Sequence, residues 1–260
     1  MRKNFLLAAG FVLATTPALA ADFQDYPPIQ GPVYAPQSMV TGHVEIMGGI
    51  VSFDDESYGA VAGAGRASTP LHGIFKLELE VTGASLFDDG ESESAFGGFA
   101  HLYGEGDHHA LGVFGGYVGF SGLAGFVVGT EGNFGFGSSV LFGQAAYILN
   151  QQVDNILFLR GGLHHYFTMD TRGTIDLSWA SSPAFDSAWS ATGSVEHRFT
   201  GTPWSLFASL GVSGASGTDI RPWTAMVGAR LFVDQPGSTL ASHDKAVPFN
   251  VRLPSLEIVN

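Results

Sequence analysis

A single antiparallel up-and-down transmembrane β-barrel of about twelve strands is the fold class this sequence predicts. Three observations carry that expectation. Apolar and polar residues alternate with period two through most of the chain after residue 39. The composition is poor in charge (13%) yet holds 36 glycines and 21 phenylalanines, where a soluble domain averages about 25% charged residues. The chain has an export leader but no cysteine, so disulfides do not hold it. A sheet closed on itself, with an outer face that needs no water, satisfies all three.

The first element is the leader. In MRKNFLLAAGFVLATTPALA, Arg2 and Lys3 form a basic start, Phe5 to Ala14 an apolar run, and Ala18-Leu19-Ala20 a small-residue cleavage site. Residues 1–20 read as a cleaved secretory signal peptide. Its removal takes two cations from the chain and moves the formal charge from −13 to −15. A segment with prolines at 27, 28, 32 and 36 follows; residues 21–38 are expected to be a loose periplasmic lead-in.

From residue 39 to 233 the alternation predicts strands at 39–53, 59–68, 73–85, 94–103, 110–120, 123–133, 138–148, 156–168, 172–181, 188–199, 203–212 and 222–233. The clearest is AWSATGSVEHRF. Trp189, Ala191, Gly193, Val195, His197 and Phe199 share one face, while Ser190, Thr192, Ser194, Glu196 and Arg198 share the other. IFKLELEVTG behaves alike, with Phe75, Leu77, Leu79 and Val81 opposing Lys76, Glu78, Glu80 and Thr82. Twelve is an even count, which keeps both termini at one end; ten and fourteen are the alternative counts.

The stretch Ala110–Gly129, ALGVFGGYVGFSGLAGFVVG, is long and apolar enough for a membrane helix. Its glycines argue against a helix, each costing roughly 1 kcal/mol relative to alanine in a helix interior. Ser121-Gly122 divides it into two lengths that suit barrel strands. The four tryptophans Trp179, Trp189, Trp204 and Trp223, with Tyr147, Phe167 and Phe199, fall near strand ends, as interfacial girdles do. Alternate connections carry acids, as in DDESY (54–58) and DDGESES (88–94), and are expected to form an acidic outer crown.

The inward face is expected to be polar. Its ionisable residues are His43, Glu45, Arg66, Lys76, Glu78, Glu80, Glu131, Arg160, Asp176, Glu196, Arg198 and Arg230. They suit either the lining of a pore or an ion-paired network that fills a modest lumen. Arg66, Glu196, Arg198 and Arg230 are expected at similar depth near the periplasmic end.

No cofactor and no metal are expected. Asp107-His108-His109 reads as a solvated turn, and Asp88-Asp89-Gly90-Glu91 lacks the full calcium-loop spacing. His164 and His165 point to opposite faces of a strand. No compact serine–histidine motif supports an enzyme. No basic patch supports nucleic-acid binding.

After residue 233, Gln235-Pro236-Gly237 ends the last strand. Residues 234–260 are expected to be a periplasmic tail, loose up to Lys245, with 247–253 docking at the barrel mouth or against a periplasmic partner.

YGAVAGAGRASTPL followed by FKLELEVTG, FGQAAY, FLRGGLHHYF and MVGARLFV resemble the small porin-like outer-membrane β-barrels of proteobacteria. The resemblance implies a Gram-negative outer-membrane location, contact with outer-membrane lipid, and insertion by the barrel assembly machinery. It implies a narrow passive channel for small polar solutes or ions. The alternative is a non-conducting structural or surface-contact barrel. One departure is plain: about 27 residues follow the closing strand, which in that family usually ends the chain.

Overall fold

The structure, a computed structural model, describes residues 40–249 apart from 54–55, 89–90, 121–122, 151–154, 184, 218–220 and 235–236. The expected signal peptide, the 21–38 segment and the end of the tail lie outside the described residues.

Twelve strands form one closed antiparallel barrel: β1 (Thr41–Phe53), β2 (Glu56–Pro70), β3 (Phe75–Asp88), β4 (Glu91–Glu105), β5 (His109–Phe120), β6 (Leu123–Phe136), β7 (Ser139–Asn150), β8 (Ile156–Thr168), β9 (Thr171–Ser182), β10 (Phe185–Arg198), β11 (Trp204–Ala215) and β12 (Trp223–Val233). Each pairs with its sequence neighbours, and β1 pairs with β12 from Gly42 opposite Val233 to Ser52 opposite Trp223. Closure removes both edges, so every strand's backbone groups find partners without water. The strands run 11 to 15 residues, longer than the roughly 9–11 that cross a hydrocarbon core. The acids at positions 56, 91 and 93, expected in loops, therefore sit on strand ends.

The Ala110–Gly129 stretch is β5 and part of β6, paired from His109 opposite Phe134 to Phe120 opposite Leu123. Its glycines have a packing role. A Cβ on Gly116 would lie 2.2 Å from the Gly98 carbonyl oxygen and 2.4 Å from the Phe99 ring. Only glycine lets β4 and β5 close over Phe99. In the two-residue β6–β7 connection, Gly137 has φ +56°, a value that glycine adopts without strain.

The outward faces are apolar and exposed: Val44, Ile46, Leu79, Val81, Leu111, Val113, Phe126, Leu177, Val195 and Val227 all lie there. Water does not favour such a continuous surface, and lipid does. Trp179 and Trp189 stand opposite each other on β9 and β10, and Trp223 opposite Val212 lies towards the same rim. Trp204, Phe167 and Phe199 flank the opposite rim. These residues and Tyr147 are all exposed.

The inner face departs from the uniformly polar expectation. Its buried charges lie at mid-height and in the half nearer the start of β1 and the end of β12. The other half combines two apolar clusters, Phe99, Phe114, Val118, Val127, Ile148, Ile156 and Phe158 on one side and Met47, Val51, Ala60, Phe207 and Met226 on the other, with the buried hydroxyls of Ser52, Ser182, Ser213 and Thr224. Inward side chains of neighbouring strands pack on one another there as a core does.

The tail also departs from expectation. Instead of a loose linker, Leu240–Ala246 forms helix α1. Thr239 caps it, accepting from Ser242 N while the Ser242 hydroxyl accepts from Thr239 N. Leu240 and Ala241 are buried against Tyr166 and Phe232. α1 therefore sits in the barrel mouth at the end where the chain leaves β12.

Candidate functional site

The lumen holds two chains of charged side chains, because period-two strands deliver one inward residue every second position. The first centres on Arg230. Its Nε and Nη2 donate to Glu45 Oε2 at 3.0 and 2.6 Å, and its Nη1 donates to both Glu196 oxygens at 2.9 Å. Glu196 also accepts from Ser205 at 2.6 Å and from Arg172 at 2.7 Å. The other arm of Arg172 reaches Asp244 of α1.

The second chain runs from β9 round to β2. Arg160 Nε donates to Asp176 at 2.9 and 3.0 Å, and its Nη1 donates to Gln144 at 3.0 Å. Gln144 donates to Glu131 at 3.1 Å, and the other Glu131 oxygen lies 2.8 Å from His101 Nδ1. His101 Nε2 stands 3.6 Å from Glu80, and Glu80 stands 3.3 Å from Arg66. Phe114 of β5 lies flat on His101, with ring centroids 5.6 Å apart.

Of the twelve inward residues expected from the sequence, eleven are buried and Lys76 is half-buried. Lys76 pairs with Glu105 at the rim. Arg198 was expected at Glu196's depth; it pairs instead with Asp234, at 2.7 and 3.0 Å, and lies over the Phe232 ring at 4.3 Å. Arg172, His101, Gln144 and Tyr166 were not anticipated. His164 and His165 do not act together: His164 meets Thr174 and Phe142, whereas His165 meets Ser139 and Phe167. Asp107, His108 and His109 form a turn at the mouth, where Lys245 donates to the Asp107 carbonyl.

The tail closes the charged half. His243 Nδ1 donates to Asp234 at 3.2 Å, so its Nε2 accepts from His43 Nδ1 at 2.9 Å. Tyr166 donates to Asp244 at 2.7 Å, and Tyr103 donates to the Ala246 carbonyl at 3.2 Å. Phe249 meets Tyr103 edge to face at 5.1 Å. Burial, with Arg230 nearby, holds His243 below its ordinary value of 6.5, despite the hydrogen bond to Asp234. Burial alone would raise Asp234, but His243 and Arg198 outweigh it and hold the carboxyl below its usual range. Arg172 and Arg230 overcome burial at Asp244 in the same way. Between the tail and the wall lies a cavity of about 160 Å³, lined in part by His43, Arg66, Arg172, His164 and Lys245.

No family model matches the chain, and no curated protein matches it. Solved structures do. The NanC porin is 8% identical with a TM-score of 0.57, over 72% of this chain and 98% of that one. An outer-membrane channel from Pseudomonas putida F1 is 11% identical with a TM-score of 0.55, over 77% and 97%. The KdgM porin is 10% identical with a TM-score of 0.53, over 73% and 99%. At such identities the likeness is one of fold: a porin-like barrel.

Proposed function

We propose that the chain is an outer-membrane, porin-like barrel that passes small polar solutes or ions through a narrow, gated lumen. The observation that carries this reading is the charged lining, one chain from Asp176 round to Arg66 and another from Glu45 through Arg230 to Arg172, inside a closed barrel with an apolar exterior. Inward charges of both signs are what a selective path presents to a solute. The apolar half of the lumen is then a constriction that gates by excluding water, and α1 is a stopper at the other mouth. The fold likeness to two porins and an outer-membrane channel supports this reading.

A second reading rests on Phe158 and Ile148, both fully buried in the lumen. It makes the molecule a structural barrel with a packed interior. Planar-bilayer recording of the refolded chain, whole and truncated after Val233, separates the two. The channel reading expects small, infrequent unitary steps from the whole chain and larger or more frequent ones after truncation. Silence from both forms, with the barrel folded, eliminates the channel and leaves the structural barrel.

A further inference from the structure

Glu78, Glu80 and His101 each bring one ligand atom to a common point, all within 4.8 Å of one another. The first two are two residues apart on β3, so they share the inward face, and His101 stands opposite Glu78 on β4. Glu78 and His101 are fully shielded from solvent.

One feature of the cluster goes unexplained by the ion-pair network. Among the described residues, neither carboxylate oxygen of Glu78 has a hydrogen-bond partner, and His101 Nε2 has only the 3.6 Å contact with Glu80. A buried carboxylate without a partner is costly. A structural barrel gains nothing by keeping one.

The surroundings supply the missing reason. His101 Nδ1 lies 2.8 Å from Glu131, and Gln144 holds the other Glu131 oxygen. A carboxylate at Nδ1 holds a proton there, so a metal ion that displaces the proton on Nε2 would find that nitrogen within 4.8 Å of a Glu78 and a Glu80 oxygen. A carboxylate–imidazole pair of this kind orients histidine as a metal ligand. Charge agrees with it. With His101 neutral, as a metal ligand is, Glu78, Glu80 and Glu131 as carboxylates against Arg66 beside Glu80 leave two negative charges, which one divalent ion offsets.

We infer that Glu78, Glu80 and His101 bind a first-row divalent metal ion of the zinc class, with Glu131 as the residue that positions His101. One imidazole and two carboxylates suit such ions. Ligand bonds of about 2.0–2.2 Å would place the ligand atoms about 3.4 Å apart, so small side-chain rotations complete the site. The site ties β3 to β4 inside the barrel, and it does not depend on whether the lumen conducts.

Because the cluster is shielded, the ion is supplied during folding. The full chain is refolded into detergent with zinc chloride, exchanged into metal-free buffer, and assayed for bound zinc and thermal midpoint. One zinc per chain and a raised midpoint are expected. Glu78→Gln and His101→Gln should lose the zinc. Glu131→Gln, which keeps all three ligands, should retain it with affinity lowered roughly 10–100-fold. Each variant is checked for the folded barrel by its heat-dependent gel mobility. If the ligand variants fail to fold, Glu131→Gln and Co²⁺ absorption of the wild type decide, since visible bands with a nitrogen–oxygen ligand set are required. A zinc-free wild type overturns the inference. So does zinc retained by folded Glu78→Gln, or zinc lost instead from a His108→Gln/His109→Gln variant at the mouth.

Discussion

At the scale of single residues, Arg230 shows how tightly the lumen is balanced. It bridges Glu45 of β1 and Glu196 of β10, and all three side chains are buried. Arg230→Ala removes the cation that Glu45 and Glu196 share, while Glu196 keeps Ser205 and Arg172, and should cost about 3–5 kcal/mol. The urea or thermal unfolding midpoint should drop clearly, while Arg221→Ala, an exposed site near Trp189, should leave it unchanged. Equal midpoints for the two variants would show that the Arg230 bridge contributes little. Parity along each strand made Arg230, Glu45 and Glu196 readable from the sequence. Arg172 was readable in the same way, since it shares its face with Thr174 and Asp176, but it lies where a strand was taken to begin. His101 shares its face with Phe99 and Tyr103. The missing partners of Glu78 were not readable, because they depend on which strands meet across β3 and β4.

Among the elements, α1 was the one least legible. Seven residues carry no usable periodicity, and its stability comes from what it touches. Thr239 three residues before Ser242 was the local trace of its start. Its docking should depend on pH. His243 docks with its pKa below 6.5, so the docked tail holds fewer protons than the free tail. Docking is therefore strongest above about pH 6.5 and weakens as the pH falls below that value. Asp234 and Asp244 have the opposite character. Their lowered values favour docking above about pH 3.8, so they do not set the upper window. Hydrogen exchange at Leu240 and Ala241, corrected for intrinsic rates, should lose protection between pH 6.5 and 4.5, by at most about tenfold per pH unit. His243→Gln should flatten the profile. Protection that holds constant to pH 4.5 in the wild type would contradict the assignment.

For the molecule as a whole, the barrel was legible because period two, an even count and charge-free outer faces all demand one closed sheet. The turn residues placed most strand ends within about three residues. The half-apolar lumen was not legible, since alternation tells which face a residue takes but not how far apart opposite walls stand. An even strand count puts both termini at one end. In the proposed outer-membrane setting that end faces the periplasm, and Lys245 offers a tryptic site there. Trypsin added to intact cells should spare the tail and cleave it once the outer membrane is permeabilised. Cleavage in intact cells would reverse the orientation.

The contacts of α1 also fix an order of events. His243 meets His43 and Phe232, on the two strands whose pairing closes the ring, and neighbouring tail residues reach Tyr103 and Tyr166 on β4 and β8. That docking surface is incomplete while the first and final strands are apart, so the tail should settle fully only once the seam has formed. Seam formation joins residues nearly the whole barrel apart in sequence, which is slow. Refolding should accordingly run in two stages, a slow ring closure followed by a fast local one. Helix α1 then marks, by becoming protected, the moment at which the circle is complete.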